Sequence, residues 1–350
     1  MTGKLGRAEP ELPLLTKELP GSGGAVRELD DFYVEEIPAY TPSGSGEHCF
    51  ALIEKRDLTT PAAIRRLCDA VGMNPEAAGY AGLKDRRGVT RQWISLHGAD
   101  PQALLKVEQE GLRVLEAGRH GNKLRTGHLR GNRFRIVLRG TAVDGEARAA
   151  AALARLASEG LPNYYGGQRF GREADNAVQG LQLLRGELKV RDRFRRRLLI
   201  SALQSALFNE VLARRVEQGD LRRLLGGEVL QKVESGGLFV NALEEREVDA
   251  ARLAAGEVVI TGPICGPRMP LPAADSPALA LEQAVFTEAG VQPADFSALG
   301  RLARGGRRPL TVPVHDATVR PVPEGLRLDF ALPPGAYATV LLREVSKQER

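Results

Sequence analysis

One short stretch, Ala81–Ser95, combines residues that could do chemistry on a negatively charged substrate. It places the carboxylate of Asp85 among four cationic side chains: Lys84, Arg86, Arg87 and Arg91. Nearby cations stabilise the ionised form of a carboxylate, which can then act as a nucleophile or stabilise positive charge. The same residues also fit a charged surface turn in which Asp85 only pairs with its neighbours. The stretch alone leaves both interpretations open.

The residues around Asp85 predict a tight loop that leads into a strand. Gly82 and Gly88 bracket the charged segment, and glycine adopts backbone conformations that other residues avoid. Val89–Leu96 then predicts a strand. His48–Ile53 predicts another strand, with apolar residues on both faces and therefore a place inside a covered sheet.

A helix is predicted to begin at Thr60 and Pro61, with threonine as its cap and proline in its first turn. Apolar residues follow at helical spacing: Ile64, Leu67, Cys68 and Val71. Cys68 is therefore interpreted as a core residue rather than a reactive thiol.

Cations are concentrated in residues 113–139, which hold eight Lys or Arg and one acid. Phe134, Ile136 and Leu138 alternate there with Arg133, Arg135 and Arg139, which predicts a strand with one apolar face and one partly cationic face. Such a run often only forms a solvent-exposed face, but positive charge repeated along one strand is also typical of a surface that binds nucleic-acid phosphates. Neutralising Arg133 or Arg135 is expected to weaken nucleic-acid binding if the second interpretation holds.

Two further segments contain aromatic residues next to glycine-rich turns. Pro162–Gly171 mixes aromatic, amide, glycine and arginine residues, which suits stacking on unpaired bases but also suits a plain corner between domains. Leu326, Leu328 and Phe330 share one face of a predicted strand that Pro333–Gly335 ends, before a terminal helix over 336–345. Phe330 is therefore either a stacking platform or a core residue.

The composition narrows the class of protein. The chain has 350 residues, of which 43% are hydrophobic, enough for two domains with real cores. The net charge of +5 is modestly basic. Three separated cysteines argue against a disulfide framework or a zinc site. No apolar leader, membrane span or phosphate-binding glycine loop is found, so we expect a soluble cytoplasmic protein without a nucleotide cofactor.

Taken together, several segments resemble the TruD family of tRNA pseudouridine synthases. They occur in the family's order and span nearly the whole chain. The matching segments are Asp31–Glu36 with Gly46–His48, Ala81–Asp85 with Thr90 and Gln92, Gly131–Phe134, Pro162–Gly171, Ser205–Asn209, and Leu332–Thr339 with Leu342–Glu344.

This resemblance implies an α+β fold. A pseudouridine-synthase catalytic domain, built on a mixed, largely antiparallel sheet with helices, is expected over residues 1–159 and 307–350. A second α/β domain characteristic of the family is expected as an insertion over 160–306. By the same resemblance, Asp85 matches the catalytic aspartate. Phe32, Asn132 and Phe330 match positions that line the target-uridine pocket.

The resemblance also implies a partner and a reaction. The substrate is expected to be tRNA, with uridine 13 isomerised to pseudouridine without a metal or organic cofactor. Uracil would be both the leaving group and the returning nucleophile. Phosphate contacts are expected from four basic residues: Lys84, Arg133, Arg135 and Arg169. The protein is expected to act as a monomer and not to associate with a membrane.

One departure from the family pattern concerns the segment before Phe32. Many relatives carry a basic residue and a proline there, whereas this chain lacks the proline and is one residue shorter. Arg27 is the counterpart of the basic residue and a possible charge partner of Asp85.

Two other classes of function remain open. A non-catalytic RNA-binding protein of the same fold would keep the basic stretches but could dispense with Asp85. A hydrolytic enzyme would need a second carboxylate beside Asp85, and no clearly paired acid is found.

Overall fold

The computed structural model describes residue 5 and residues 11–348, which form an α+β fold. Its strands are β1 Gly23–Ala25, β2 Phe32–Pro38, β3 His48–Arg56, β4 Gly79–Tyr80, β5 Val89–His97, β6 Glu108–Gln109, β7 Leu112–His120, β8 Leu129–Thr141, β9 Leu161–Pro162, β10 Val229–Lys232, β11 Leu238–Val240, β12 Val258–Ile264, β13 Gly306–Pro309, β14 Thr311–Val312, β15 His315–Val322 and β16 Gly325–Leu332.

Its helices are α1 Thr60–Ala70, α2 Pro101–Leu105, α3 Gly145–Glu159, α4 Asn176–Leu184, α5 Arg193–Glu217, α6 Arg246–Ala254, α7 Pro277–Ala289 and α8 Ala338–Ser346. Within the described ranges, no helix combines the length and the apolar composition that crossing a bilayer requires.

A ten-stranded sheet dominates the fold. Its main path runs β15-β16-β8-β2-β5-β3-β7-β6, with β1 paired to β8 and β4 paired to β5. The β2–β5 pair is parallel, and the other pairs in this sheet are antiparallel. The predicted mixed, largely antiparallel sheet is therefore confirmed.

Two apolar cores lie on the same face of this sheet. The first core joins side chains of β2, β8 and β16 to helices α3 and α8: Phe32, Val34, Phe134, Ile136, Leu328 and Phe330 on the strands, and Leu153, Leu156, Leu341 and Val345 on the helices. The second core joins β3 and β5 to α1: Cys49, Ala51, Ile53, Ile94 and Leu96 on the strands, and Ile64, Leu67 and Cys68 on the helix. Cys68 is buried and unbridged, as predicted.

Between the two cores the same face carries polar side chains. Cross-strand pairing aligns Lys55 with Thr90, Ile53 with Gln92, and Glu36 with Asn132. We call this set the polar strip: Glu36, Lys55, Thr90, Gln92 and Asn132. All are buried except Asn132, which is half-buried. A buried polar group without a partner costs about 1–3 kcal/mol, so the strip needs partners from outside the sheet.

A second, four-stranded sheet has the order β11-β10-β12-β13 and packs against α5. Two buried ion pairs lie beside it, Arg215–Glu228 at 2.6 Å and Arg307–Glu282 at 2.7 Å. Charges removed from water need such partners, so these pairs fix how α5 and α7 meet the sheet. The short strands β9 and β14 pair with each other.

Most predicted elements are confirmed with shifted ends. Strand Val89–Leu96 becomes β5, and both faces of β3 are buried as expected. The cap of α1 is Thr59, whose hydroxyl accepts from the amide of Ala62, rather than Thr60. The Thr60 hydroxyl is occupied elsewhere, because it donates to Gln92 Oε1 at 2.8 Å. The terminal helix begins at Ala338 instead of 336.

Candidate active site

The loop between Gly82 and Gly88, which we call the Asp85 loop, lies over the polar strip and leaves the Asp85 side chain exposed. Gly88 has φ +143°, and a Cβ there would lie 2.6 Å from the carbonyl oxygen of Phe32 and 2.9 Å from its ring. Only glycine allows this approach, because a side chain would collide with backbone. The loop therefore ends directly against the first residue of β2.

Lys55, which lies in the polar strip of the sheet, binds the main chain at the centre of the Asp85 loop. Its side chain is fully buried, and Nζ donates to the carbonyl oxygens of Asp85 at 2.7 Å and Leu58 at 2.6 Å. Burial lowers the pKa of Lys55 to about 8, although the charge of Asp85 acts in the opposite direction. Sequence patterns do not predict this role, because Lys55 stands between Glu54 and Arg56 at the charged end of β3.

Thr60 and Gln92 fix the beginning of the loop. Thr60 Oγ1 accepts a hydrogen bond from the Lys84 amide at 3.0 Å and donates to Gln92 Oε1. Gln92 Nε2 in turn donates to the Gly82 carbonyl at 3.3 Å. With Lys55 on the Asp85 carbonyl, successive backbone groups of the loop are bound by side chains of the sheet and of α1.

Lys84 takes a place different from the expected one. Its Nζ lies 2.7 Å from Glu36 Oε2, and the two side chains are 6% and 0% exposed. A cation in a buried ion pair is not available to a phosphate, because separating the pair would leave the Glu36 carboxylate buried and alone. Lys84 therefore anchors the loop to the polar strip.

Gln168 contacts the carboxylate of Asp85, the predicted nucleophile. Its Nε2 donates to Asp85 Oδ1 at 3.2 Å. Gln168 lies in the short 3-10 turn Gly167–Phe170, within the aromatic and glycine-rich segment that the sequence analysis singled out. The sequence alone predicts no role for Gln168, and the only signal is that its segment resembles the family.

Distant segments of the chain hold that turn in place. Asn209 of α5 accepts from the Tyr165 amide at 2.8 Å and donates to the Tyr165 carbonyl at 2.9 Å. The Arg308 guanidinium lies 4.2 Å from the centre of the Tyr165 ring. Arg169, an expected phosphate contact, lies 5.3 Å from the same ring and donates to the Tyr337 hydroxyl at 3.4 Å. These contacts form one wall beside Asp85.

The three predicted pocket residues lie on the sheet face that the loop covers, which we call the loop face. Phe134 connects the two phenylalanines, stacking on Phe330 at 5.2 Å and meeting the Phe32 ring edge-on at 6.3 Å. Phe330 is 0% exposed and Phe32 7% exposed, so they form an apolar floor rather than an open platform. Among the described residues, the buried Oδ1 of Asn132 has no hydrogen-bond donor.

Arg133 and Arg135 lie on the opposite, outer face of β8, because they alternate with Asn132 and Phe134. Arg133 lies 4.0 Å from Asp316 and Arg135 lies 3.4 Å from Asp329. The structure therefore does not bring these two expected phosphate contacts into the cleft of Asp85.

Arg27 is also placed away from the loop. Its side chain is exposed, with the guanidinium 3.3 Å from the place where a Cβ on Gly140 would lie. Its amide donates to Asp31 Oδ2 at 3.1 Å. No hydrogen bond or ion pair within the described residues joins Arg27 to Asp85, and the cation nearest to that role is Lys55.

The described residues contain no group of three or more His, Cys, Asp or Glu side chains arranged to hold a metal ion. The site is therefore defined by one exposed carboxylate, the amide of Gln168, a loop anchored from below and an apolar floor.

Comparisons with known proteins agree with this arrangement. The family model for tRNA pseudouridine synthase D (TruD) matches residues 11–191 and 188–345. The chain is 47% identical over 347 residues to the tRNA pseudouridine synthase D of Anaeromyxobacter sp. (strain Fw109-5), covering 96% of each chain. It is 44% identical over 339 residues to that of a Thermus thermophilus strain, covering 96% of this chain and 92% of the relative.

A crystal structure assigned to a tRNA pseudouridine synthase D from Methanosarcina mazei has the same fold. The TM-score is 0.79 with 23% sequence identity, and the match covers 100% of this chain and 99% of that one. The full-length sequence matches, the shared fold and the meeting of the motif segments around Asp85 lead to one conclusion: the chain belongs to the TruD family of tRNA pseudouridine synthases.

Proposed function

We propose that this protein is a tRNA pseudouridine synthase that isomerises uridine 13, with Asp85 as the nucleophile. The observation that carries the proposal is the placement of Asp85. It is an exposed carboxylate on a loop whose backbone is bound by Lys55, Thr60 and Gln92, beside an apolar floor. Family membership supports the choice of reaction and substrate.

The reaction needs a flipped-out base and one reactive group. A stacked uridine cannot reach a carboxylate, and extruding it costs a few kcal/mol. Asp85 bonds transiently to the substrate as the N1–C1′ bond breaks and is released again when uracil turns and bonds to C1′ through C5. The C5 proton is then lost to solvent and N1 takes up a proton, so that substrate and product contain the same atoms. Because uracil both leaves and returns, the atoms balance without a metal, an oxidant or an organic cofactor.

The pocket residues supply binding rather than chemistry. Phe32, which is 7% exposed, presents the apolar floor to the uracil ring, and the fully buried Phe330 supports that floor through its stacking on Phe134. The unsatisfied Asn132 Oδ1 accepts a hydrogen bond from uracil N3–H or from a ribose hydroxyl. A buried acceptor without a donor raises the free energy of the free protein. A substrate donor that satisfies Asn132 Oδ1 removes this cost and therefore strengthens binding.

Lys55 and Gln168 position the nucleophile. Lys55 fixes the main chain of Asp85, and Gln168 fixes one carboxylate oxygen so that the other points to the substrate. Such preorganisation matters because a misplacement of about 1 Å can cost a hundredfold in rate.

We also propose an inserted domain close to the one expected over residues 160–306 within a catalytic domain expected over 1–159 and 307–350. Because β13 pairs with β12 of the second sheet, we place the return to the catalytic domain after β13 rather than at residue 307. The pairing of β9 with β14 supports it, because the chain leaves and returns at neighbouring positions. A monomeric, cytoplasmic enzyme that does not bind membranes completes the proposal.

Tritium release from tRNA carrying uridine labelled at carbon 5 tests the activity. Wild type should release tritium, and Asp85→Asn should reduce release to background while still binding tRNA. Equal release by the two proteins would remove Asp85 from the mechanism. Binding without release by wild type would favour a non-catalytic RNA-binding protein, and release of free uracil would indicate hydrolysis.

A further inference from the structure

A second basic region of the chain holds exposed cations to which the described residues supply no carboxylate partner. It precedes and forms the first turn of α5 and surrounds one exposed aromatic ring. We call it the α5 basic turn: Lys189, Arg191, Arg193, Phe194, Arg195, Arg196 and Arg197. All are exposed except Arg196, which is half-buried.

Half of the eight cations in residues 113–139 lie next to a carboxylate of the protein. Arg113, Arg133, Arg135 and Arg139 each lie within 4.0 Å of a carboxylate. In the α5 basic turn, by contrast, the described residues supply no ion pair to Lys189, Arg191, Arg193, Arg196 or Arg197. Arg195 donates to the neutral Gln179 side chain at 3.2 Å.

The single acid inside the α5 basic turn has a structural role. Asp192 caps α5, with its Oδ1 accepting from the Arg195 amide at 2.6 Å. Its charge therefore opposes the local cations only in part. Unpaired cations of one sign attract a polyanion, and neutralising phosphates releases condensed counterions.

Phe194 gives this surface a feature that simple solvation does not explain. Its side chain is 77% exposed and belongs to none of the apolar cores of the described chain. An exposed phenylalanine costs solubility, whereas a ring among arginines can stack on an unpaired base while they bind its phosphates.

The location of the α5 basic turn also fits a substrate bound at Asp85. Arg169, next to Gln168, donates to Ser201 of α5 at 3.4 Å. From Ser201 back to Arg193 is eight residues, or about 12 Å along a helix. An RNA arm with its target nucleotide at Asp85 spans that distance.

We propose that the α5 basic turn binds tRNA outside the target nucleotide, with Phe194 stacking on an unpaired base and the arginines binding backbone phosphates. This inference rests on the proposed function for the identity of the RNA. It adds a phosphate-binding surface to the four contacts expected from the sequence, Lys84, Arg133, Arg135 and Arg169.

The test compares the double variant Arg193→Gln/Arg197→Gln with the matched control Lys17→Gln/Lys106→Gln, which neutralises exposed lysines on other elements. Dissociation constants for an unmodified tRNA transcript are measured at several salt concentrations. The α5 variant should reduce the slope of log Kd against log salt by about 2, and the control should leave it unchanged. Equal slopes for both variants would overturn the proposal.

The stacking contact is tested separately. Phe194→Ala should weaken tRNA binding about tenfold with an unchanged salt slope, and Phe194→Tyr should retain wild-type affinity. For active protein, KM should rise while kcat at saturating tRNA stays within about twofold. Unchanged affinity in Phe194→Ala overturns the stacking claim. Binding is measured without turnover, so the two proposals can fail separately. A wild type that forms no pseudouridine would contradict the proposed function, whereas the salt slopes would still show whether the α5 basic turn binds RNA.

Discussion

The two faces of the ten-stranded sheet use charged residues in different ways. On the loop face, Lys55 and Glu36 are buried and directed at the Asp85 loop, through the Asp85 carbonyl and the Lys84 ammonium. On the outer face, Glu54 binds Arg91 at 2.8 Å and Arg113 at 2.7 Å, and all three residues are set in the strands. Charge on the loop face therefore shapes a site, whereas charge on the outer face is mostly balanced within the sheet.

This difference shows why a run of like-charged residues in the sequence does not by itself predict what those residues bind. Arg133 and Arg135 look like phosphate contacts in sequence but have carboxylate neighbours and face away from Asp85. Lys55 stands between Glu54 and Arg56, where the sequence indicates an ordinary charged strand end, and yet it donates directly to the main chain of Asp85. Which face a residue occupies, and what covers that face, decides its role.

Among the residues that position Asp85, the largest effect should come from replacing the buried lysine of the loop face. Lys55→Met leaves the Asp85 carbonyl without its donor, and such an unmet group costs about 1–3 kcal/mol. The kcat should fall about tenfold to a hundredfold, measured as tritium release at saturating tRNA. Lys106→Met, at an exposed lysine, should keep wild-type kcat; equal values for the two variants would contradict the positioning role of Lys55.

The lowered pKa of Lys55 also predicts how stability depends on pH. The pKa is about 8 in the folded protein and about 10.4 in an unfolded chain, so between these values the unfolded state binds more protons. The unfolding free energy of wild type, relative to that of Lys55→Met, should therefore rise as pH increases from 8 towards 10.4, by at most about 3 kcal/mol. Denaturant titrations across this range provide the measurement, and a constant difference would mean that Lys55 does not titrate there.

A single methyl group should disturb the junction of the loop with β2. Gly88→Ala forces a Cβ to within 2.6 Å of the Phe32 carbonyl at a φ of +143°, a strain of about 1–3 kcal/mol. Both the midpoint of thermal unfolding and kcat should fall. Gly82→Ala is the matched control, because a Cβ there meets nothing within 4 Å. Identical behaviour of the two variants would show that the loop moves freely.

Gln168 should have a smaller, charge-dependent effect. Gln168→Ala removes one hydrogen bond to Asp85 and should lower kcat about threefold to tenfold, since hydrogen bonds to charged groups are worth about 1.5–3 kcal/mol and water replaces part of this one. Gln168→Glu places a carboxylate against a carboxylate and should lower kcat further. A Glu variant more active than the Ala variant would argue against the contact.

The smallest effect is expected on the outer face. Arg135→Ala removes a cation that Asp329 already balances, so tRNA affinity should change less than about twofold and the salt slope only slightly. A loss as large as that of the Arg193→Gln/Arg197→Gln variant would instead support the phosphate contact expected from the sequence. That result would extend the RNA surface to both faces of the sheet.

Local patterns in the sequence predicted much of the fold. The alternation around Phe134 and Phe330, the helical spacing after Pro61 and the glycines around Asp85 are short-range signals, and the structure has the corresponding strands, helix and loop. Family resemblance added the topology and the grouping of Phe32, Asn132 and Asp85.

Long-range pairing could not be predicted in the same way. The Lys84–Glu36 ion pair, the Gln168–Asp85 hydrogen bond and the partner of Arg135 join residues 48, 83 and 194 positions apart. No periodicity within a segment encodes such contacts, since they depend on which strands become neighbours. The exposure of a side chain could not be predicted from local sequence either. Phe330 and Phe194 both stand beside charged residues, yet Phe330 is fully buried and Phe194 is 77% exposed.

The continuity of α5 has a consequence for substrate selection. The helix carries cations at its start, touches Arg169 through Ser201 and holds Tyr165 through Asn209, without an interruption from Arg193 to Glu217. The separation between its first turn and the nucleophile is then set by the helical rise of about 1.5 Å per residue. If Phe194 and Asp85 bind the RNA as proposed, α5 fixes the distance between the unpaired base and the target nucleotide, and lengthening α5 by one turn would shift which nucleotide reaches Asp85.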